Sequence, residues 1–252
     1  MLAAAPRVRL DQLLVDRGLF ASREQARRAV MAGRVEVGGR RAEKPGVAVA
    51  ADARIELTAR EPFVSRAGRK LAAALDHFAL DPSGQVCLDA GASTGGFTDC
   101  LLQRGAARVY AVDVGYGQLD ARLRGDPRVV VMERANVRHL PPDALPERCA
   151  LIVADLSFIS LAKALPALVP HLAPDGRLLP LIKPQFEAGR GQVGKGGVLR
   201  DEGRRREVVA RAVAELEALG LEGLGTFDSP VAGAEGNRET FALFRRAGGA
   251  GE

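Results

Sequence analysis

The sequence predicts a two-part α/β protein. A small N-terminal α+β domain precedes a doubly wound, mostly parallel, Rossmann-like sheet whose last strand runs antiparallel. Three observations predict it. Apolar strand-like runs alternate with helical patterns from residue 86 onward, the signature of a parallel sheet with helices on both faces. One of those runs, Val86–Ala90, ends in a glycine-rich turn that opens into a helical pattern. The chain's excess positive charge is confined to its first sixty residues. The expected boundaries are a first domain at 1–59, a linker at 60–64 and a second domain at 65–252.

In the first domain, Leu10, Leu13 and Leu14 recur at helical spacing and stop at Gly18. Ser22, with Gln25 three positions on, reads as a capping box opening a second helix, Arg23–Ala32, closed by Gly33. Strand-like runs follow at Arg34–Val37, turning at Gly38-Gly39, and at Arg54–Thr58. Residues 1–60 hold twelve Lys and Arg against seven Asp and Glu, whereas residues 61–252 hold equal numbers. A basic head on a neutral body fits a head that meets a polyanion while the body performs another task. Arg23, Arg27, Arg28 and Arg34 fall along one side of the second helix and its exit. The pattern R-L-D-x-x-L, S-R-x-x-A-R, G-x-V-x-V-x-G over about residues 7–58 resembles the RNA-binding domain first seen in ribosomal protein S-four. That resemblance implies an arginine-lined helix touching folded RNA through phosphates and shape. The candidate RNA contacts are those four residues with Arg7, Arg9, Arg66 and Arg69.

Pro62 breaks periodicity and biases Glu61 towards extended structure, so Arg60-Glu61-Pro62 reads as the linker. Ser65 is expected to cap a helix over Arg66–Phe78. Strand Val86–Ala90, helix Thr94–Arg104 and strands Arg108–Asp113 and Val129–Glu133 follow. Next come strand Leu151–Asp155, helix Ile159–Leu168 and strand Arg177–Lys183. A long amphipathic helix, Asp201–Leu219, precedes two strands near Leu221–Phe227 and Glu239–Arg245. The glycine-rich segment Gly189–Gly197 is expected to be a mobile flap.

Composition narrows the function classes. Of 252 residues, 47% are hydrophobic and 27% charged, as in a globular protein with a real core. The longest apolar runs, such as Leu178–Ile182, are too short to span a bilayer. No cationic segment followed by an apolar stretch opens the chain, so no export signal or pore-forming role is expected. Cys87, Cys100 and Cys149 are odd in number and lack C-x-x-C spacing, which fits free buried thiols in a reducing, cytoplasmic setting. His77, His139 and His171 are scattered, and no metal site is expected. Neither a membrane nor an obligate protein partner is implied.

The chemistry concentrates where strands end. In the turn Asp89-Ala-Gly-Ala-Ser-Thr-Gly-Gly96, Gly91, Gly95 and Gly96 let backbone approach a ligand at a helix N-terminus. The spacing is neither the dinucleotide fingerprint nor a phosphate loop. Asp89 inside the turn disfavours a pyrophosphate and favours a ligand with an amino group, and S-adenosyl-L-methionine is such a ligand. Its expected contacts are Asp89, Gly91, Ala92, Ser93, Gly95, Gly96 and Phe97, with Asp113 on the ribose hydroxyls. Glu133 and Asn136 follow the third strand, where adenine contacts arise, and Asp155 completes the set. The chain uses thirty-one arginines and only five lysines, so Lys183, at the end of the apolar run Leu178–Ile182, asks for a reason. Lysine loses its proton when desolvated or set beside another cation, which arginine does not. Asp155 ends the neighbouring strand, Glu239 begins an antiparallel last strand, and Lys70 lies on the preceding helix. All four are expected on one crevice edge.

Several segments together resemble one family. They are Val64–Leu71, Leu88–Leu102, Val112–Leu119, Val153–Ser160, Lys183–Gly189 and Gly236–Glu239, and they look like the TlyA family (often labelled hemolysin A) of FtsJ-like 2′-O-ribose methyltransferases. The resemblance covers about residues 7–245. It implies a catalytic tetrad of Lys70, Asp155, Lys183 and Glu239, and methylation of cytidine ribose in ribosomal RNA with S-adenosyl-L-methionine as donor. Because the chain ends soon after Arg246, without the C-terminal extension associated with dual-specificity members, 23S RNA is the favoured target over 16S RNA. In the expected mechanism Lys183, with Lys70 beside it, takes the 2′-hydroxyl proton while Asp155 and Glu239 orient the lysines.

Overall fold

The computed structural model describes residues 6–31, 33–57, 62–188, 197–233 and 236–248. The expected flap therefore lies outside the described residues except for Gly197, as do linker residues 60 and 61. The chain divides into two compact units, Met1–Glu61 and Pro62–Glu252.

The first unit runs β1 (Arg7–Arg9), α1 (Leu10–Asp16), α2 (Arg23–Met31), β2 (Val35–Val37), β3 (Arg40–Arg41), β4 (Ala48–Ala50) and β5 (Ile55–Leu57). Strand β1 pairs antiparallel with β4, and β2 lies between β3 and β5. The leucines of α1 close on Ala26, Ala29 and Val30 of α2 to form its core. The capping box forms with one change: Ser22 Oγ accepts from Gln25 N at 3.3 Å, while Gln25 Oε1 reaches past Ser22 to Ala21 N.

The second unit begins with α3 (Ala67–His77), β6 (Val86–Ala90), α4 (Gly96–Gln103), β7 (Arg108–Val112), α5 (Ala121–Arg124) and β8 (Val129–Met132). It continues with β9 (Cys149–Ala154), α6 (Leu161–Ala164), β10 (Leu172–Ile182), α7 (Pro184–Glu187), α8 (Glu202–Glu217), β11 (Leu221–Asp228) and β12 (Thr240–Arg246). These strands form one seven-stranded sheet in the order β11-β12-β10-β9-β6-β7-β8. From β10 to β8 the neighbours are parallel, and β12 is antiparallel to both of its neighbours. One face is covered by α3 and α4 through Leu71, Leu75, Phe97 and Leu101. The other is covered by α6 and α8, whose Ala212 and Leu216 join Leu161 and Leu165. The order of strands reverses between β6 and β9, running outward to β7 and β8 on one side and to β9 and β10 on the other, so the crevice for a ligand lies at their carboxyl ends.

Local departures have local causes. The helix expected over Ile159–Leu168 is a single turn, α6, continued by 3₁₀ turns at Leu165–Ala167 and Val169–His171. Pro166 and Pro170 supply no N–H for an α-helical ladder. Helix α4 starts two residues later than expected because Gly95 turns left-handed, at φ 94°. Ser65 does not cap α3 through its side chain. Arg66 takes the cap position, and the Ser65 carbonyl accepts from Gly68 N at 3.1 Å.

Candidate active site

The strand ends of β6, β9 and β10, the start of β12 and the first turn of α3 surround a cavity of about 680 Å³. Its floor is the turn after β6. Gly91 and Ala92 both donate to the Val112 carbonyl, at 2.8 and 3.1 Å, which folds the turn back over β7. Gly91 is left-handed, at φ 86°, and a Cβ there would lie 2.7 Å from the Asp155 carbonyl. Only glycine leaves this approach open. Ala92, Ser93, Thr94, Gly96 and Phe97 continue the lining into the N-terminus of α4, whose first N–H groups have no helical partner.

Asp89 supports this floor from below. Its carboxyl is fully buried, with Oδ2 accepting from Thr98 Oγ1 at 2.7 Å and Oδ1 buried without a partner. Burial pushes the Asp89 carboxyl up to about 7 against the Thr98 hydrogen bond, and the nearby Asp155 charge adds to the rise. Asp113 ends β7 and accepts from Ser93 N at 2.8 Å and Gly115 N at 2.6 Å, so it fastens the two loops that border the crevice.

The four chemistry-bearing residues resolve into two ion pairs in the same cavity. Lys70 Nζ lies 2.5 Å from Glu239 Oε2, both nearly buried. Lys183 Nζ lies 2.7 Å from Asp155 Oδ1 and donates to Ser157 Oγ at 2.8 Å. The Lys183 ammonium also stands 5.9 Å from the Phe186 ring centre.

Of the other expected ligand contacts, Glu133 and Asn136 are committed locally. The Glu133 carboxylate accepts from Gly117 N at 2.8 Å and pairs with Arg124. Asn136 caps the 3₁₀ turn Val137–His139 by accepting from Arg138 N at 3.1 Å. Neither lines the cavity, and neither do Asp89, Gly95 and Asp113. Arg66 is on the cavity wall, and Arg69 is exposed one turn along α3.

In the first unit Arg23, Arg27 and Arg28 share an open depression on α2 with Glu24 and Met31. Arg9 and Arg23 converge on the buried Asp11, at 2.9 and 3.1 Å, and hold its carboxyl down to about 2. Arg28 pairs with Glu24, Arg7 donates to the Ala48 carbonyl at 2.6 Å, and Arg34 stands 6.0 Å from the Phe20 ring centre.

Sequence reasoning missed three participants. Phe158 is 89% exposed on the cavity rim, left-handed at φ 65°, with its ring centre 4.9 Å from that of Phe186. A bulky residue in that conformation is strained. Ser157 holds Lys183, as above. Asn237 is buried two residues before Glu239 and bonds the backbone of Gly197 and Leu199, at 2.8 and 3.0 Å. No signal in one sequence marks an apolar Phe or a Ser for such a place. The Gly-Asn-Arg-Glu motif alone drew attention to Asn237.

Two further observations bound the chemistry. Cys87, Cys100 and Cys149 are buried and free, and burial pushes each thiol up to about 12. Among the described residues, no group of three His, Cys, Asp or Glu could hold a metal ion, and no helix is long and apolar enough to cross a membrane.

Comparison with known proteins identifies the families of both units. Residues 63–246 match the FtsJ-like methyltransferase family, and residues 8–55 match the S4 domain. The chain is 50% identical to the 16S/23S rRNA (cytidine-2′-O)-methyltransferase TlyA of Mycobacterium tuberculosis, covering 96% of this chain and 91% of that protein. It is 40% identical to Hemolysin A of Brachyspira hyodysenteriae, covering 94% and 99%. A solved structure from Streptococcus thermophilus superposes with a TM-score of 0.75 at 42% identity, covering 97% of this chain and 90% of that one. With a family match across residues 63–246 and relatives along nearly its full length, the chain belongs to the FtsJ-like methyltransferases, in the TlyA group that carries an N-terminal S4 domain.

Proposed function

We propose that the protein transfers a methyl group from S-adenosyl-L-methionine to the 2′-oxygen of a cytidine ribose in ribosomal RNA. The observation that carries this reading is the shared cavity: a glycine turn at a helix N-terminus and two ammonium–carboxylate pairs line the same space. The substrate named for the Mycobacterium tuberculosis relative, cytidine in 16S and 23S RNA, supports the choice of RNA. The S4 match supports RNA delivery by the first unit, and a ribosomal substrate implies a cytoplasmic enzyme.

The residues fit the donor. Gly91 leaves room for it beside the Asp155 carbonyl, and the N-terminus of α4, at Gly96 and Phe97, lines the same cavity. When bound there, S-adenosyl-L-methionine supplies a sulfonium methyl, an electrophile that needs no further activation. The protein's task is to hold the hydroxyl in line and steady its developing negative charge. Lys183 and Lys70 serve this as N–H donors, kept in place by Asp155 and Glu239. Each ammonium already sits against a carboxylate. That supports Lys183 as the group that aims the hydroxyl, with the proton leaving to water as the oxygen–carbon bond forms. Phe158, exposed beside this cluster, offers a face on which the target base stacks.

The test is incubation with labelled S-adenosyl-L-methionine and purified 50S or 30S particles, followed by mapping of the label. Label on cytidine of 23S RNA, 16S RNA or both is expected. Label in neither particle would overturn the reading.

A further inference from the structure

We infer that Ser157 is a positioning residue, which fixes the directions in which Lys183 presents its remaining N–H groups to the substrate. This rests on reading Lys183 as the group that meets the 2′-hydroxyl, and it adds a residue to which no role has been given.

A lysine ammonium carries three N–H donors around one rotatable bond. With the nitrogen held in place, one acceptor is enough to stop rotation about that bond. In this cavity Asp155 Oδ1 lies 2.7 Å from the nitrogen as an ion pair outside hydrogen-bonding geometry, and Ser157 Oγ accepts a hydrogen bond at 2.8 Å. With that N–H engaged, the directions of the other two are set by the tetrahedral geometry of nitrogen, and they are left for a substrate oxygen.

Asp155 and Ser157, the two groups against the ammonium, also hold a fixed spacing. They stand two residues apart on the loop after β9, and Leu156 between them is buried against Gly91. One end of the loop is tied by Asp155 N to the Ala90 carbonyl at 2.9 Å. The other is tied by Leu161 N to Glu187 Oε1 at 2.9 Å. Lys183 arrives from a different direction, at the end of β10. Ser157 itself is exposed in the cavity lining and supports no part of the core. Its replacement therefore removes a direction rather than a fold. Water entering the space would accept a hydrogen bond without fixing where it comes from.

The experiment compares wild type with Ser157→Ala, Ser157→Thr and Lys183→Met, using labelled S-adenosyl-L-methionine with 50S and with 30S particles, with melting temperatures alongside. Ser157→Ala is expected to lower kcat about tenfold and leave KM for both substrates within about twofold, because direction matters in the transition state and not in binding. Ser157→Thr keeps the hydroxyl and is expected to restore kcat to within about threefold of wild type. Lys183→Met is expected to be inactive. If Ser157→Ala keeps wild-type kcat, or if Thr and Ala lose activity equally, the inference falls while the proposed function stands. An active Lys183→Met, or a wild type that labels neither ribosomal subunit, overturns the underlying reading and the role of Ser157 together.

Discussion

Asp89→Asn isolates a single buried ionisation. Burial places the Asp89 carboxyl at about 7 in the folded protein, against 3.8 in a solvated chain. The gap of roughly three units corresponds to about 4 kcal/mol. A raised value means the folded state keeps a proton that the unfolded chain has already released. Stability therefore falls as pH rises from about 4 to about 7, and the loss is complete above pH 8. Asparagine preserves the shape, and its carbonyl can still accept from Thr98 Oγ1, while the charge is gone. The variant should match wild type in stability near pH 4 and exceed it by up to about 4 kcal/mol at pH 8. Urea unfolding of both proteins from pH 4.5 to 8.5 measures this, and other titrating groups cancel in the difference. A difference between the two that stays constant across that range would refute the reasoning.

Three other perturbations follow from the same geometry. Phe158→Ala should weaken use of the RNA substrate by about 1–3 kcal/mol, the worth of one stacked base, with an unchanged melting temperature because the ring is exposed. Phe158→Trp should retain activity, and equal kcat/KM in Ala and Trp variants would contradict the stacking role. Gly91→Ala forces a left-handed alanine against the Asp155 carbonyl, so a loss of about 2–4 kcal/mol of stability is expected, with at least tenfold weaker S-adenosylhomocysteine binding by calorimetry. Lys70→Met strands the buried Glu239 charge and should destabilise by about 3–5 kcal/mol. Adding Glu239→Gln should recover most of that stability in denaturant unfolding but none of the methyl transfer; a double variant no more stable than Lys70→Met would show that the pair is not a closed unit.

Strands such as Val86–Ala90 and Arg108–Val112 were legible because parallel strands buried on both faces are written as short apolar runs. Their ends were legible too, since a polar residue closing such a run stands out, and Asp89, Asp113, Asp155 and Lys183 were all found that way. The cavity then gathers Lys70, Asp155, Lys183 and Glu239 from segments up to 169 residues apart. What lay hidden depends on neighbours that no sequence window contains. The strands Arg7–Arg9 and Ala48–Ala50 are three residues each, too short for a period to appear, and they exist only as a pair. Phe158 looks like any core aromatic until its backbone turns left-handed and carries the ring outward. Glu133 and Asn136 have the right type and place for a nucleoside, yet local backbone N–H groups engage both first. Asp89 reads as a ligand contact from the turn alone, and only the packing of Thr98 over it shows a buried support.

The most direct test concerns where on the nucleotide the methyl group lands. Alkali cleaves RNA through the free 2′-oxygen, so a 2′-O-methyl group protects the bond that follows it. RNA labelled by the enzyme is hydrolysed in alkali and separated by size. The account requires the label to survive in dinucleotides whose first residue is cytidine, and to be absent after Lys183→Met. Label released entirely as mononucleotides would mean methylation of a base, and would contradict the ribose chemistry assigned to this cavity.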